Sequence, residues 1–158
     1  KYITTKFKKV SQDDAKKISK NLVDYGKKYN LDPKFVAAVI ARESGFRKDA
    51  VSVTGAKGLG QIKDFNYKAL KIRDPFKIEE NVSGTAQYLK KMIRKWKEKP
   101  MNTTLNEQKK ATLKQDDIKL ALASYYKGFT AVNKEGVDTK TQKYVDDIID
   151  YYNEILNY

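Results

Sequence analysis

Residues 32–61 read DPKFVAAVIARESGFRKDAVSVTGAKGLGQ, and the reading of the whole chain starts from them. Asp32-Pro33 sets an N-cap acid before the one helical position where the missing N–H of proline costs nothing. Phe35, Val36, Val39 and Ile40 then recur at helical spacing and define an apolar face. Glu43 falls three residues after Ile40, four after Val39 and seven after Val36, on that same face. Gly45 is the expected helix stop. A carboxylate in line with an apolar stripe is costly unless it is paired, hydrogen-bonded or protonated. Such surroundings move glutamates toward the pKa range of a general acid. The competing reading is a glutamate that serves a nearby cation, and Arg42 or Arg47 is placed to supply one.

Outward from this stretch the spacing stays helical. Residues 1–10 read as a basic, partly extended lead-in. Ala15, Ile18, Leu22, Tyr25 and Tyr29 then mark a helix capped by Ser11 with Asp14 and ending near Asn30. After Ser44 the glycines at 55, 58 and 60 break periodicity, and a short helical piece is expected from Leu59 through Lys63. Asp74-Pro75 repeats the acid-proline start signal before the longest helix, with Ile78, Val82, Ala86, Leu89, Ile93 and Trp96 on one face and Pro100 closing it. Residues 97–115 read as a polar insertion, expected to be mobile. Asp116-Asp117 would cap a compact helix interrupted at Gly128, and Gly136 marks a further turn. Thr139-x-x-Gln142 has the capping-box pattern ahead of a terminal helix. No segment alternates with a period of two. The expectation is a single all-α domain over residues 1–158, with six to eight helices around one core.

Composition narrows the chemistry. The chain has no cysteine and no histidine, which removes disulfides, thiol and Ser-His catalysis and most zinc sites. Acid–base work near neutral pH then falls to a carboxylate, a tyrosine or a lysine. The net charge of +13 favours anionic partners: nucleic acid, membrane surfaces or acidic cell-wall polymers. With 29 lysines and only four arginines, base-reading by bidentate arginine is disfavoured, and nucleic acid is not the expected partner. No run has the apolar length of a membrane span, and no calcium-loop pattern is present; neither metal nor cofactor is expected.

The run Glu43-Ser44-Gly45-Phe46, followed by AVSVTGAKGLGQ over residues 50–61, resembles the catalytic domain of soluble-type lytic transglycosylases, which has a goose-lysozyme-like fold. Three further pieces recur in the family's order: NVSGTAQYL over 81–89, ALASYYKG over 121–128 and TQKYV over 141–145. The resemblance implies a lysozyme-like helical domain that cleaves the β-1,4 bond between N-acetylmuramic acid and N-acetylglucosamine in peptidoglycan. Glu43 would be the single catalytic acid, protonating the glycosidic oxygen. It would then take the proton from the muramoyl C6 hydroxyl, closing a 1,6-anhydro ring without water. A second carboxylate is not needed, and Asp49 and Asp64 read as surface residues.

The same resemblance implies that Ser44 positions the leaving portion, and that Gln61 and the backbone of Gly58-Leu59 line the sugar cleft. Asn81 and Tyr88 would support one side of it, Tyr125 would face it, and Tyr144 would place a phenol close to Glu43. Ser44 as a helix-end cap, Asn81 and Tyr88 as structural residues and Tyr144 as a core residue are the competing readings. Two positions depart from the family pattern. Gly60 stands where methionine is common, which predicts a smaller and more open wall. Tyr126 replaces an asparagine, leaving its phenol to contact substrate in place of the amide. A muramidase that cleaves the same bond with water, and a basic non-enzymatic cell-wall module, are the alternatives. The substrate implies work in the cell envelope, periplasmic or extracellular, by a monomer acting alone or within a larger envelope complex.

Overall fold

The computed structural model describes residues 1–98 and 107–158, apart from the side chains of 107–116. The described residues form α1 (Tyr2–Lys6), α2 (Gln12–Tyr29), α3 (Pro33–Ser44), a 3-10 turn (Asp64–Asn66) that runs into α4 (Tyr67–Leu70), α5 (Ile78–Lys97), α6 (Glu107–Lys127), α7 (Phe129–Glu135) and α8 (Thr139–Leu156). The expected all-α architecture is found. Packing divides the chain into two compact units, Lys1–Gln87 with Asp147–Tyr158, and Tyr88–Asp146.

In the first unit α3 is the central rod. Val36 through Ala41 are buried in unbroken succession, so the helix is enclosed on every side rather than along one stripe. Its ends are set locally. The Asp32 carboxylate accepts from the Lys34 N–H, Pro33 opens the first turn, and Gly45 closes the helix in the left-handed region at φ 57°. Ile18 and Leu22 of α2, Leu59, Ile62, Leu70 and Ile72 of the crossing, and Val82 and Ala86 of α5 complete the core. Each such aliphatic side chain removed from water contributes about 1.5–3 kcal/mol. Ser11 caps α2 by accepting from the Asp14 N–H at 3.1 Å, and Asn30 ends it in the left-handed region, as the sequence leads one to expect.

Three expectations in this unit are corrected. The lead-in is not extended: Tyr2–Lys6 is helical, held to α8 where the Tyr2 hydroxyl and Lys6 ammonium both donate to the Glu154 carboxylate. Leu59–Lys63 is not helical, because Lys57 bridges antiparallel to Ile62 across a tight turn; the helical piece starts at Asp64. Asp74-Pro75 opens a turn rather than the helix, with the Asp74 carboxylate accepting from the Phe76 N–H at 2.9 Å, and α5 starts only at Ile78.

The second unit is built on Leu89, Met92 and Ile93 of α5, Ala121 to Tyr125 of α6, Val132 of α7, and Tyr144 and Val145 of α8. The one tryptophan, Trp96, donates from Nε1 to the buried Ser124 hydroxyl at 2.9 Å. Gly128, at φ 93°, breaks α6 from α7 as expected, and Gly136 turns the chain at φ 78°. Two boundaries differ. Asp116-Asp117 lies inside α6, which begins at Glu107, so the second half of the 97–115 connection is helical. The closure at Pro100 lies outside the described residues. Thr139 is the first residue of α8 rather than its cap. Asp138, one place earlier, accepts from the Thr141 N–H at 2.8 Å.

Candidate active site and its family

Glu43 occupies the last turn of α3 and is partly exposed, whereas Ser44 beside it is buried. Both nearby arginines make hydrogen bonds to other groups. Arg42 donates from Nε to Asp147 at 2.9 Å, and Arg47 donates from Nε to the Ser44 carbonyl at 3.1 Å. Neither of these bonds involves the Glu43 carboxylate. The Ser44 hydroxyl donates back to the Ile40 carbonyl at 3.3 Å, the contact of a serine that finishes a helix.

Directly after the acid, two successive residues take left-handed backbone: Gly45, and then Phe46 at φ 59°. Glycine accepts this freely, but an aromatic side chain does so at a cost of about 1–3 kcal/mol, met by surrounding packing. Phe46 is almost wholly buried, with its ring edge-to-face against Phe7 at 5.0 Å. The two left-handed residues end the helix abruptly after the acid, and nothing in the sequence marks Phe46 as the second of them.

The loop of 57–62 is then tied to α5 through one side chain. Asn81 is buried, and its amide oxygen accepts from the Gly60 N–H at 2.7 Å. Its amide nitrogen donates to the Lys57 carbonyl at 3.1 Å and the Pro75 carbonyl at 2.8 Å. Thr85 joins the cluster by donating to the Asn81 carbonyl at 2.8 Å. The Asn81 amide is thus committed within the protein, where it holds the loop against α5. Gly58, at φ 76°, lies so close that a Cβ there would collide with the Pro75 carbonyl and the Asn81 amide. Leu59 is fully buried and belongs to the core by its side chain. Gly60, expected to leave a more open wall, is itself buried. Gln61, in the left-handed region at φ 52°, spends its amide nitrogen on the Ala50 carbonyl (3.1 Å) and the Gly58 carbonyl (2.9 Å). Asp49 and Asp64 are exposed, as expected.

The four tyrosines lie in the second unit. Tyr88 and Tyr125 meet with ring centroids 5.1 Å apart, and desolvation pushes the Tyr88 phenol up from its ordinary pKa. Tyr144 is buried, and Tyr126 lies stacked on it at 4.6 Å with the planes 16° apart, while 40% of Tyr126 remains exposed. Tyr126 therefore presents a ring whose orientation is fixed by a buried neighbour. Sequence spacing cannot find this pairing, because the partners are on α6 and α8.

The helical fold is shared with a solved structure. That structure is of an inactive mutant of lytic transglycosylase Slt from Pseudomonas aeruginosa, aligned over 87% of this chain and 24% of that one, with a TM-score of 0.61 and 22% identity. Residues 20–148 match the family model of the transglycosylase SLT domain, and the chain belongs to that family. It is 31% identical over 114 residues to membrane-bound lytic murein transglycosylase F of Pectobacterium atrosepticum, covering 72% of this chain. It is 27% identical over 116 residues, 73% of this chain, to a transglycosylase of Enterobacteria phage PRD1. The chain spans only 21% of the first relative's length and 36% of the second's.

Proposed function

We propose that this chain is a peptidoglycan lytic transglycosylase that cleaves the β-1,4 bond between N-acetylmuramic acid and N-acetylglucosamine, with Glu43 as acid and then base. The observation that carries the reading is the placement of Glu43, a partly exposed carboxylate on the end of a helix enclosed on all sides, within the residues that match the family. In the first step the Glu43 carboxyl gives its proton to the glycosidic oxygen as the C1–O bond breaks. The substrate's 2-acetamido group stabilises the cationic centre. The carboxylate then takes the proton of the C6 hydroxyl, whose oxygen bonds to C1, so the acid is regenerated and no water is consumed.

Within this reading Ser44, Gly58, Leu59 and Asn81 act by positioning, since their side chains or backbone are bound up inside the first unit. Tyr126, with its exposed and oriented ring, is the sugar-facing aromatic of the second unit, with Tyr88 beside Tyr125 as a second aromatic group. The net charge of +13 serves association with acidic wall polymers, and the enzyme works as a monomer outside the cytoplasmic membrane.

The test is product analysis of purified peptidoglycan digested by the wild type and by Glu43→Gln. The expected products are 1,6-anhydromuramic ends, with turnover reduced about a thousandfold in the variant while the fold is kept. Reducing-end muramic acid alone would make the enzyme a hydrolase. Solubilisation by Glu43→Gln at the wild-type rate would remove Glu43 as the acid.

A further inference from the structure

Most of the large apolar side chains left in solvent by the first unit fall within 51–77: Val51, Val53, Phe65 and Phe76. Single exposed hydrophobes are ordinary, but the bridging pattern brings two of these together. Lys57 pairs antiparallel with Val51 on one side and with Ile62 on the other. The chain leaving Val51 and the chain leaving Ile62 therefore run in the same direction on the two flanks of Lys57, roughly 10 Å apart at adjacent-strand spacing. Val53, two residues beyond Val51, and Phe65, three beyond Ile62, emerge at the same end. They are the most exposed of the four, Val53 at 106% and Phe65 at 75%. Gly55, in the turn after Val53, has open space where a Cβ would stand, so the turn is open to solvent at that point.

The surroundings are cationic. Between 51 and 77 the chain carries Lys57, Lys63, Lys68, Lys71, Arg73 and Lys77 against Asp64 and Asp74. Lys63, Lys68 and Lys71 are exposed, Lys63 two residues before Phe65 and Lys68 three residues after it.

We propose that this end of the first unit, Val53 and Phe65 set among lysines, docks on an anionic phospholipid surface. An aromatic and an aliphatic side chain enter the boundary between headgroups and acyl chains, while lysine stems extend their ammonium groups back to the phosphates. A soluble polyanion would use the lysines but would leave Val53 and Phe65 in water. Docking is separate from the reaction proposed above, and neither residue belongs to that site.

The experiment is sedimentation of the chain with vesicles of phosphatidylglycerol and phosphatidylcholine, and with phosphatidylcholine alone, at low and moderate salt. The chain should bind the anionic vesicles and weaken as salt rises. The double variant Val53→Ser/Phe65→Ser should bind them at least tenfold more weakly while releasing products from soluble glycan fragments at the wild-type rate. No binding of the wild type to anionic vesicles would overturn the proposal. So would undiminished binding by the double variant, which would reduce the effect to overall charge. Parallel loss of product release from soluble fragments would also overturn it, by moving the patch into the substrate site.

Discussion

The side-chain oxygen of Asn81 accepts a hydrogen bond from the Gly60 amide at 2.7 Å, so the first turn of α5 holds the loop that follows the Glu43 helix. The same amide's nitrogen donates to the carbonyls of Lys57 and Pro75. Replacing Asn81 by alanine leaves these backbone groups without their partner, at about 1–3 kcal/mol for each one left buried. Asn81→Ala is expected to lose about 3 kcal/mol of stability in urea denaturation. A loss well below 1 kcal/mol would mean that the loop is held by something else.

Gly58 and Gly55 separate two causes of glycine preference. Both have positive φ, but only at Gly58 would a Cβ meet other atoms, those of Pro75 and Asn81. Left-handed backbone alone costs an L-residue about 1–2 kcal/mol, and forced overpacking adds about 1–3 kcal/mol. Gly55→Ala should therefore cost about 1 kcal/mol and Gly58→Ala about 3 kcal/mol or more. Equal midpoints for the two variants in denaturation would contradict the close approach.

Tyr126→Asn restores the amide common in the family and removes the ring that lies 4.6 Å from Tyr144. Aromatic pairs of this kind contribute about 0.5–1.5 kcal/mol beyond burial. Thermal unfolding should show Tyr126→Asn about 1 kcal/mol less stable and Tyr126→Phe unchanged, because the stack needs the ring and not the hydroxyl.

Asp138 links acid stability to the start of α8. Its carboxylate accepts from the Thr141 backbone N–H and from the Thr141 side chain, and it pairs with Lys127 at 3.1 Å, which together lower its pKa from 3.8 to about 2. A depressed carboxylate stabilises the folded state above its ordinary pKa. That contribution is lost as pH falls from about 4 toward 2. Asp138→Asn should show a shallower fall of the denaturation midpoint across this window. A slope identical to the wild type would rule out the linkage.

The parts of the fold that were readable in the sequence are those decided within a few residues. Asp32-Pro33 and Gly45 bound α3, Ser11 caps α2 and Gly128 breaks α6 from α7, each by a local steric or hydrogen-bonding rule. The start of α6 at Glu107 was not readable. Its first turns, EQKKATLKQD, are good helix formers without an apolar stripe, so the signal is propensity and not periodicity. The cap of α8 was misplaced by one residue because Asp138 and Thr139 are both competent N-caps. At the site, Glu43 stood out by its position on a helix face. The work of Asn81 did not, because its partners are backbone atoms of Lys57, Gly60 and Pro75, which carry no side-chain signature. The left-handed backbone at Phe46 was equally silent, since a positive φ at a phenylalanine is imposed by tertiary packing.

Six successive residues of α3, from Val36 to Ala41, are enclosed on every side. A segment of that kind cannot open by fraying or by lifting one face, because releasing it empties the core of the first unit. Its amides exchange with solvent only through the largest opening that unit undergoes. The helical turn that carries Glu43 follows directly on this segment, so its backbone is anchored in the part of the unit that opens last.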